Sequence, residues 1–184
     1  MDSEKNIAVS SPNIKFVKNL KFKQIFPRIP RLKLENDARC FALAEAKLGQ
    51  AKKYRTLVGV TLGTGIGGGL IANGEIYRGA HFGAGEVGHM LTRGDKTFEY
   101  YFKKARDKNN YSEIGRIVGG ILINLCRTVD AEAIILGGSV AQNAGGKFMP
   151  QAMRLLASHL KSFKTPKVEV SKLKHAGALG AALL

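Results

Sequence analysis

Residues 57–69, Leu-Val-Gly-Val-Thr-Leu-Gly-Thr-Gly-Ile-Gly-Gly-Gly, constrain this chain more than any other stretch. An apolar run enters a segment, Gly63 to Gly69, in which five of seven residues are glycine, and Leu70-Ile71 leave it. Glycine tolerates positive φ and lets other groups approach the main chain, so the pattern predicts a tight strand-to-strand turn. Packed N–H groups with the Thr64 hydroxyl make a candidate phosphate cradle. A glycine-rich hairpin that binds nothing is the alternative.

The flanking chain supplies companions. Upstream, Ser11-Pro12-Asn13 marks a turn, Pro27 and Pro30 break the chain, and Leu32 and Leu34 suggest a short strand. Glu35-Asn36-Asp37 then leads into Ala38 to Leu48, a run of good helix formers ending at Gly49, with Asn36 or Asp37 as N-cap. A carboxylate where a helix follows a strand is a position that catalysis uses in α/β folds, and a plain capping role is the alternative. Downstream, Asn73-Gly74 between apolar runs signals a second, type I′ hairpin, giving an antiparallel meander over about 57–78. Residues 79–90 form a glycine-rich loop with Glu86 and His89 three apart, which a helical turn would place on one face.

Thr97 to Lys108 reads as a short amphipathic helix. From Ser112, taken as the cap, Ile114, Ile117, Val118, Ile121, Leu122, Leu125 and Val129 recur with helical period. Ala133 to Leu136 predicts a buried strand ending in Gly137-Gly138, a pair that leaves room for a ligand at the sheet's C-terminal edge. A helix over about 150–160, a strand at 167–171 and a small-residue helix over 176–184 complete the expected order.

Composition narrows the classes. With 184 residues and 45% hydrophobic content the chain can bury a sizeable core. No apolar stretch approaches the ~20 residues of a membrane span, the N-terminus lacks a signal-peptide pattern, and Cys40 and Cys126 form no paired spacing. A cytoplasmic protein is therefore the expectation. The formal net charge is +15, with no acid between Glu4 and Glu35 and only Glu169 beyond Glu132. The basic residues are scattered without interleaved aromatics, so solvated basic faces are expected rather than a nucleic-acid surface, which stays as the alternative.

Taken in order, Glu35-Asn36-Asp37-Ala38, Gly63 to Gly69, Gly85-Glu86-Val87-Gly88-His89, Ile135-Leu136-Gly137-Gly138 and Gly177-Ala178-Leu179-Gly180-Ala181-Ala182 resemble the ROK family of repressors and sugar kinases. The resemblance runs from about Ser10 onward. It implies an α/β ribonuclease-H-like (actin-type ATPase) fold whose two lobes close on ATP and a sugar. Residues 1–55 would be the remnant of a truncated N-terminal lobe carrying the catalytic aspartate loop, and 56–184 the C-terminal ATPase lobe.

By the same resemblance Asp37 matches the catalytic base and a substrate ligand, and Asn36, Glu86, His89 and Glu99 match sugar ligands. Gly63, Thr64, Gly65, Gly67 and Gly68 match the second phosphate-binding turn, and Gly137 and Gly138 the adenosine motif. ATP and Mg²⁺ are the implied cofactors. No cysteine follows His89 until Cys126, so the zinc of many family members is not expected, and no metal-binding residue is assigned. The family's Asp-x-Gly-Gly-Thr phosphate loop is absent, and the region between Glu99 and Ala133 is short. The expected activity is phosphorylation of a hexose or N-acetylhexosamine hydroxyl, incomplete in this lone chain. Its implied partners are a sugar and either further copies of itself or a chain supplying the missing lobe. A non-catalytic, regulator-like sugar-binding protein is the alternative.

Overall fold

The computed structural model describes residues 2–10 and 17–184. The turn expected at Ser11-Pro12-Asn13 lies outside them. The strands are β1 (Ile7–Ser10), β2 (Lys18–Lys21), β3 (Leu57–Leu62), β4 (Ile66–Ala72), β5 (Glu75–Tyr77), β6 (Leu91–Arg93), β7 (Lys96–Thr97), β8 (Ala133–Gly137) and β9 (Lys167–Val170). The helices are α1 (Phe22–Ile25), α2 (Asp37–Lys47), α3 (Phe98–Asp107), α4 (Tyr111–Thr128), α5 (Gly138–His159) and α6 (Ala176–Ala182).

The central sheet has the order β5-β4-β3-β8-β9, with β3, β8 and β9 parallel and β3, β4 and β5 antiparallel. Side chains alternate between its two faces. Val58, Val60, Ile134 and Leu136 pack against α4 and α5 on one side. Leu57, Ala133 and Ile135 pack against α2 on the other. Strands buried on both faces read as unbroken apolar runs, which is why β3 and β8 are so plain in the sequence. The second hairpin takes the expected form, with Asn73 at φ 53° and Gly74 at φ 84°.

Several elements depart from expectation. Leu32 to Leu34 form no strand, because no neighbouring strand pairs with them; the backbone stays irregular until Asp37. The cap of α4 is Asn110, whose side chain accepts the Glu113 N–H at 3.1 Å, and not Ser112. The helix expected from residue 150 begins twelve residues earlier, at Gly138. Pro150 lies inside α5, and the Gly146 carbonyl that its missing N–H leaves unpaired belongs to an exposed residue that water can serve.

Helix α6 rests directly on the first turn of α2. A Cβ at Gly180 would fall on the Cys40 carbonyl, and the Cβ of any larger residue could be accepted only by moving α6 away. Gly180→Ala is therefore expected to destabilise the protein by about 1–3 kcal/mol, the usual cost of overpacking. A lowered urea midpoint at unchanged slope is the measurement that checks it.

Candidate functional site

The motif residues gather around β4 and the carboxyl ends of β3 and β8. Asn36 is the N-cap of α2: its Oδ1 accepts the Ala38 N–H at 2.9 Å and the Arg39 N–H at 3.2 Å. Asp37 is exposed at the first helical position, and its Oδ1 also accepts from Ala38 N–H, at 3.0 Å. This turn of α2 lies on the β4 backbone because β4 is glycine there. A Cβ at Gly69 would come 2.5 Å from the Ala38 carbonyl oxygen, and one at Gly67 2.9 Å from the Ala38 Cβ.

That contact revises the picture of the glycine run. The turn proper is Gly63-Thr64-Gly65, closed by the Gly63 N–H donating to the Gly65 carbonyl at 3.0 Å. Gly67, Gly68 and Gly69 belong to β4, in register with Thr61, Val60 and Gly59. They serve close approach of α2 and of the loop at Gly85 to Val87.

Glu86 and His89 bracket a 3-10 turn, Val87–His89, with the His89 N–H donating to the Glu86 carbonyl at 3.1 Å; both side chains are exposed. Glu99, in the first turn of α3, meets this group. Its Oε2 accepts the Ile66 N–H at 2.9 Å, and its Oε1 pairs with Lys103 Nζ at 2.6 Å. Burial pushes the Glu99 carboxyl up, but the Lys103 and Ile66 hydrogen bonds and the Lys103 and His89 charges outweigh it and hold the group below the usual carboxylate range. At the end of β8, Gly137 is in register with Thr61, and Gly138, at φ 84°, lies against Leu62, where a side chain would strike the main chain. The glycine pair and the glycine turn thus share one sheet edge, where ligands of α/β sheets bind.

Glu35 is the residue to which the sequence reading attaches no role. Its side chain is 1% exposed, and it gathers four donors. Oε1 accepts from the Ser3 hydroxyl (3.0 Å), the Asn36 N–H (3.0 Å) and Arg39 Nη1 (3.1 Å); Oε2 accepts from Arg78 Nε (2.6 Å). Arg39, itself 2% exposed, sends Nη2 to the Phe82 carbonyl at 2.6 Å and the Ala84 carbonyl at 3.2 Å. The carboxylate therefore ties the catalytic-loop candidate to the glycine loop that carries Glu86 and His89. Its four-residue spacing from Arg39 was the available signal.

Among the described residues, no group of three or more His, Cys, Asp and Glu side chains could hold a metal ion. Burial, aided by the charges of Glu35 and Asp37, pushes the Cys40 thiol up to about 11, which disqualifies it as a nucleophile. A cavity of about 410 Å³ between β6 and helices α3, α4 and α5, lined by Leu91, Arg93, Tyr101 and Arg116, includes none of the motif residues. No helix among the described residues is long and apolar enough to cross a membrane.

The sequence profile of the ROK family matches residues 1–104. The chain is 49% identical over 59 residues to an N-acetyl-D-glucosamine kinase of Vibrio cholerae and 56% identical over 55 residues to an N-acetylgalactosamine kinase of Shewanella sp.. These alignments cover 32% and 30% of this chain but 20% and 18% of the relatives, so the matched segment spans about a fifth of their length. Among solved structures, the ROK hexokinase of Thermus thermophilus superposes with a TM-score of 0.88 at 27% identity, covering 100% of this chain and 74% of that one. A ROK glucokinase of Streptomyces griseus, solved with glucose and AMPPNP, gives 0.83 at 21% identity, covering 98% and 77%. The fold is accordingly the actin-type ATPase fold expected from the motifs.

Proposed function

The chain belongs to the ROK family, and we propose that it carries the sugar-facing and phosphate-facing parts of an ATP-dependent kinase acting on a hydroxyl of a hexose or N-acetylhexosamine. The observation that carries this reading is the convergence of Asn36, Asp37, Glu86, His89 and Glu99 with the glycine turn around one strand, β4. Sugar hydroxyls both donate and accept, and an amide, three carboxylates and an imidazole can read that pattern.

Bound ATP supplies the γ-phosphoryl group. The turn suits its phosphates: a Cβ at Gly63 would meet nothing within 4 Å, so the approach is open. Thr64 is exposed, and its hydroxyl adds a donor. Asp37 accepts the proton of the attacking sugar hydroxyl as the new O–P bond forms and ADP leaves. Asn36 holds the same sugar and, as the cap, fixes the direction in which Asp37 points. Gly137 and Gly138 line the adenosine end. Among the described residues no three His, Cys, Asp or Glu side chains gather to hold a metal ion, and Mg²⁺ would come with the phosphates of ATP.

Residues 1–55 are the part of the N-terminal lobe carrying this aspartate, and 56–184 the ATPase lobe. Further chain or an assembled partner completes the closing site. Sugar-dependent release of ADP, in a coupled assay over glucose and the N-acetylhexosamines, is the expected result. Calorimetric binding of a sugar without binding of nucleotide would instead indicate a non-catalytic, regulator-like sugar-binding protein.

A further inference from the structure

Helix α3 grips the glycine turn from both ends. Glu99 accepts the Ile66 N–H after the turn, and seven residues later, on the same helix face, Arg106 reaches the turn itself. Arg106 Nη1 donates to the Gly63 carbonyl at 3.2 Å and to the Thr64 carbonyl. Nε and Nη2 both donate to Asp107 Oδ1, at 3.0 and 2.7 Å, which holds the guanidinium plane. A guanidinium has five N–H donors, and these contacts use four. Among the described residues the second Nη2 hydrogen has no acceptor, and the side chain is 30% exposed.

The consequence follows from peptide geometry. In a planar trans peptide the C=O and the following N–H point in opposite directions. Gly63 C=O shares its peptide with the Thr64 N–H, and Thr64 C=O with the Gly65 N–H. Drawing both carbonyls onto Arg106 turns both N–H groups to the far side. The neighbouring amides are already spent, since Gly63 N–H binds the Gly65 carbonyl and Ile66 N–H binds Glu99. Thr64 and Gly65 are left as an adjacent pair of oriented amide donors, the arrangement that receives a phosphate oxygen.

Arg106 also lines a cavity of about 170 Å³ with Asn109, Tyr111, Ser139 and Asn143, beside the Gly138 end of α5. It therefore stands between the glycine turn and a cavity at the adenosine motif. We infer that Arg106 is a positioning residue for the phosphate turn, which presets the Thr64 and Gly65 amides for a triphosphate and offers its remaining N–H to the same chain of phosphates. The inference deepens the kinase reading and rests on it for the identity of the ligand.

Full-length Arg106→Ala and Arg106→Lys chains, with the unsubstituted chain, test it by two measurements. The first needs no ligand: amide hydrogen exchange at Gly63 and Ile66, the turn amides that have partners, should rise at least tenfold in Arg106→Ala, while exchange in β8 stays unchanged. The second is calorimetry with Mg·AMPPNP, inorganic tripolyphosphate and N-acetylglucosamine. Both phosphate ligands should weaken about tenfold or more in Arg106→Ala while the sugar does not. Lysine keeps the charge but cannot fork onto two carbonyls, so Arg106→Lys should stay within about threefold of the alanine variant.

Full recovery by lysine would overturn the positioning role in favour of bare charge. Equal weakening of sugar and phosphates, or unchanged exchange at the turn, would also overturn it. Should the unsubstituted chain bind sugar but neither phosphate ligand, the kinase reading fails and takes the triphosphate with it. The exchange measurement then still decides whether Arg106 holds the turn.

Discussion

Asp37→Asn lowers sugar-dependent ADP release by about 10²–10⁴-fold, the range over which a positioned general base contributes, and leaves the fold intact. Asp37 is exposed, so the change desolvates nothing. Its one bond among the described residues, from the Ala38 N–H to Oδ1, can be kept by the asparagine carbonyl oxygen, and Asn36 Oδ1 accepts the same N–H at 2.9 Å. Helix α2 thus keeps its start, and the unfolding free energy from urea titration should shift by no more than about 0.5 kcal/mol, as for other exposed substitutions. What asparagine loses is the ability to take a proton. Sugar affinity by calorimetry should stay within a few fold, so the loss falls on kcat. Turnover that survives the substitution unchanged would remove Asp37 from the role of base.

The order of motifs made the family and its fold legible, and the two-faced strands made the core legible. The candidate carboxylate and glycine positions stand out because each lies within a short local pattern. The less legible parts depend on contacts across the fold. The glycines of β4 look like loop glycines in sequence, yet their reason is the α2 backbone lying against them, some thirty residues away. Pro150 reads as a helix start because proline is favoured at the first helical position, whereas Gly138 with φ 84° is the actual entry to α5. Arg106 touches residues 42 and 43 positions earlier, which no local pattern foretells. Glu35 was the missed opportunity, since an i,i+4 pair with Arg39 at the mouth of a helix is a local signal.

Glu35 also carries the largest expected stability effect. Replacing it with alanine leaves the Arg39 guanidinium 2% exposed and without its carboxylate partner, and breaking a buried pair from one side typically costs about 3–5 kcal/mol. Small domains are stable by only about 5–15 kcal/mol, so Glu35→Ala should lower the urea midpoint sharply and loosen the Phe82 to Ala84 anchor that Arg39 provides. Sugar binding through Glu86 and His89 should weaken with it. The pH dependence follows with a definite sign. Burial pushes the Glu35 carboxyl up, but the Asn36 N–H, Arg78 and the Ser3 hydroxyl prevail, so the folded-state value lies below the usual carboxylate range. A group whose folded value is depressed contributes its stability in full above the unfolded value of about 4.3 and loses it as pH falls through the folded value. Wild-type urea midpoints should therefore fall on acidification below about pH 4.3, and Glu35→Gln should flatten that limb while lowering the neutral plateau. An unfolding free energy for Glu35→Ala within about 0.5 kcal/mol of wild type would mean that Arg39 is held by the Phe82 and Ala84 carbonyls alone.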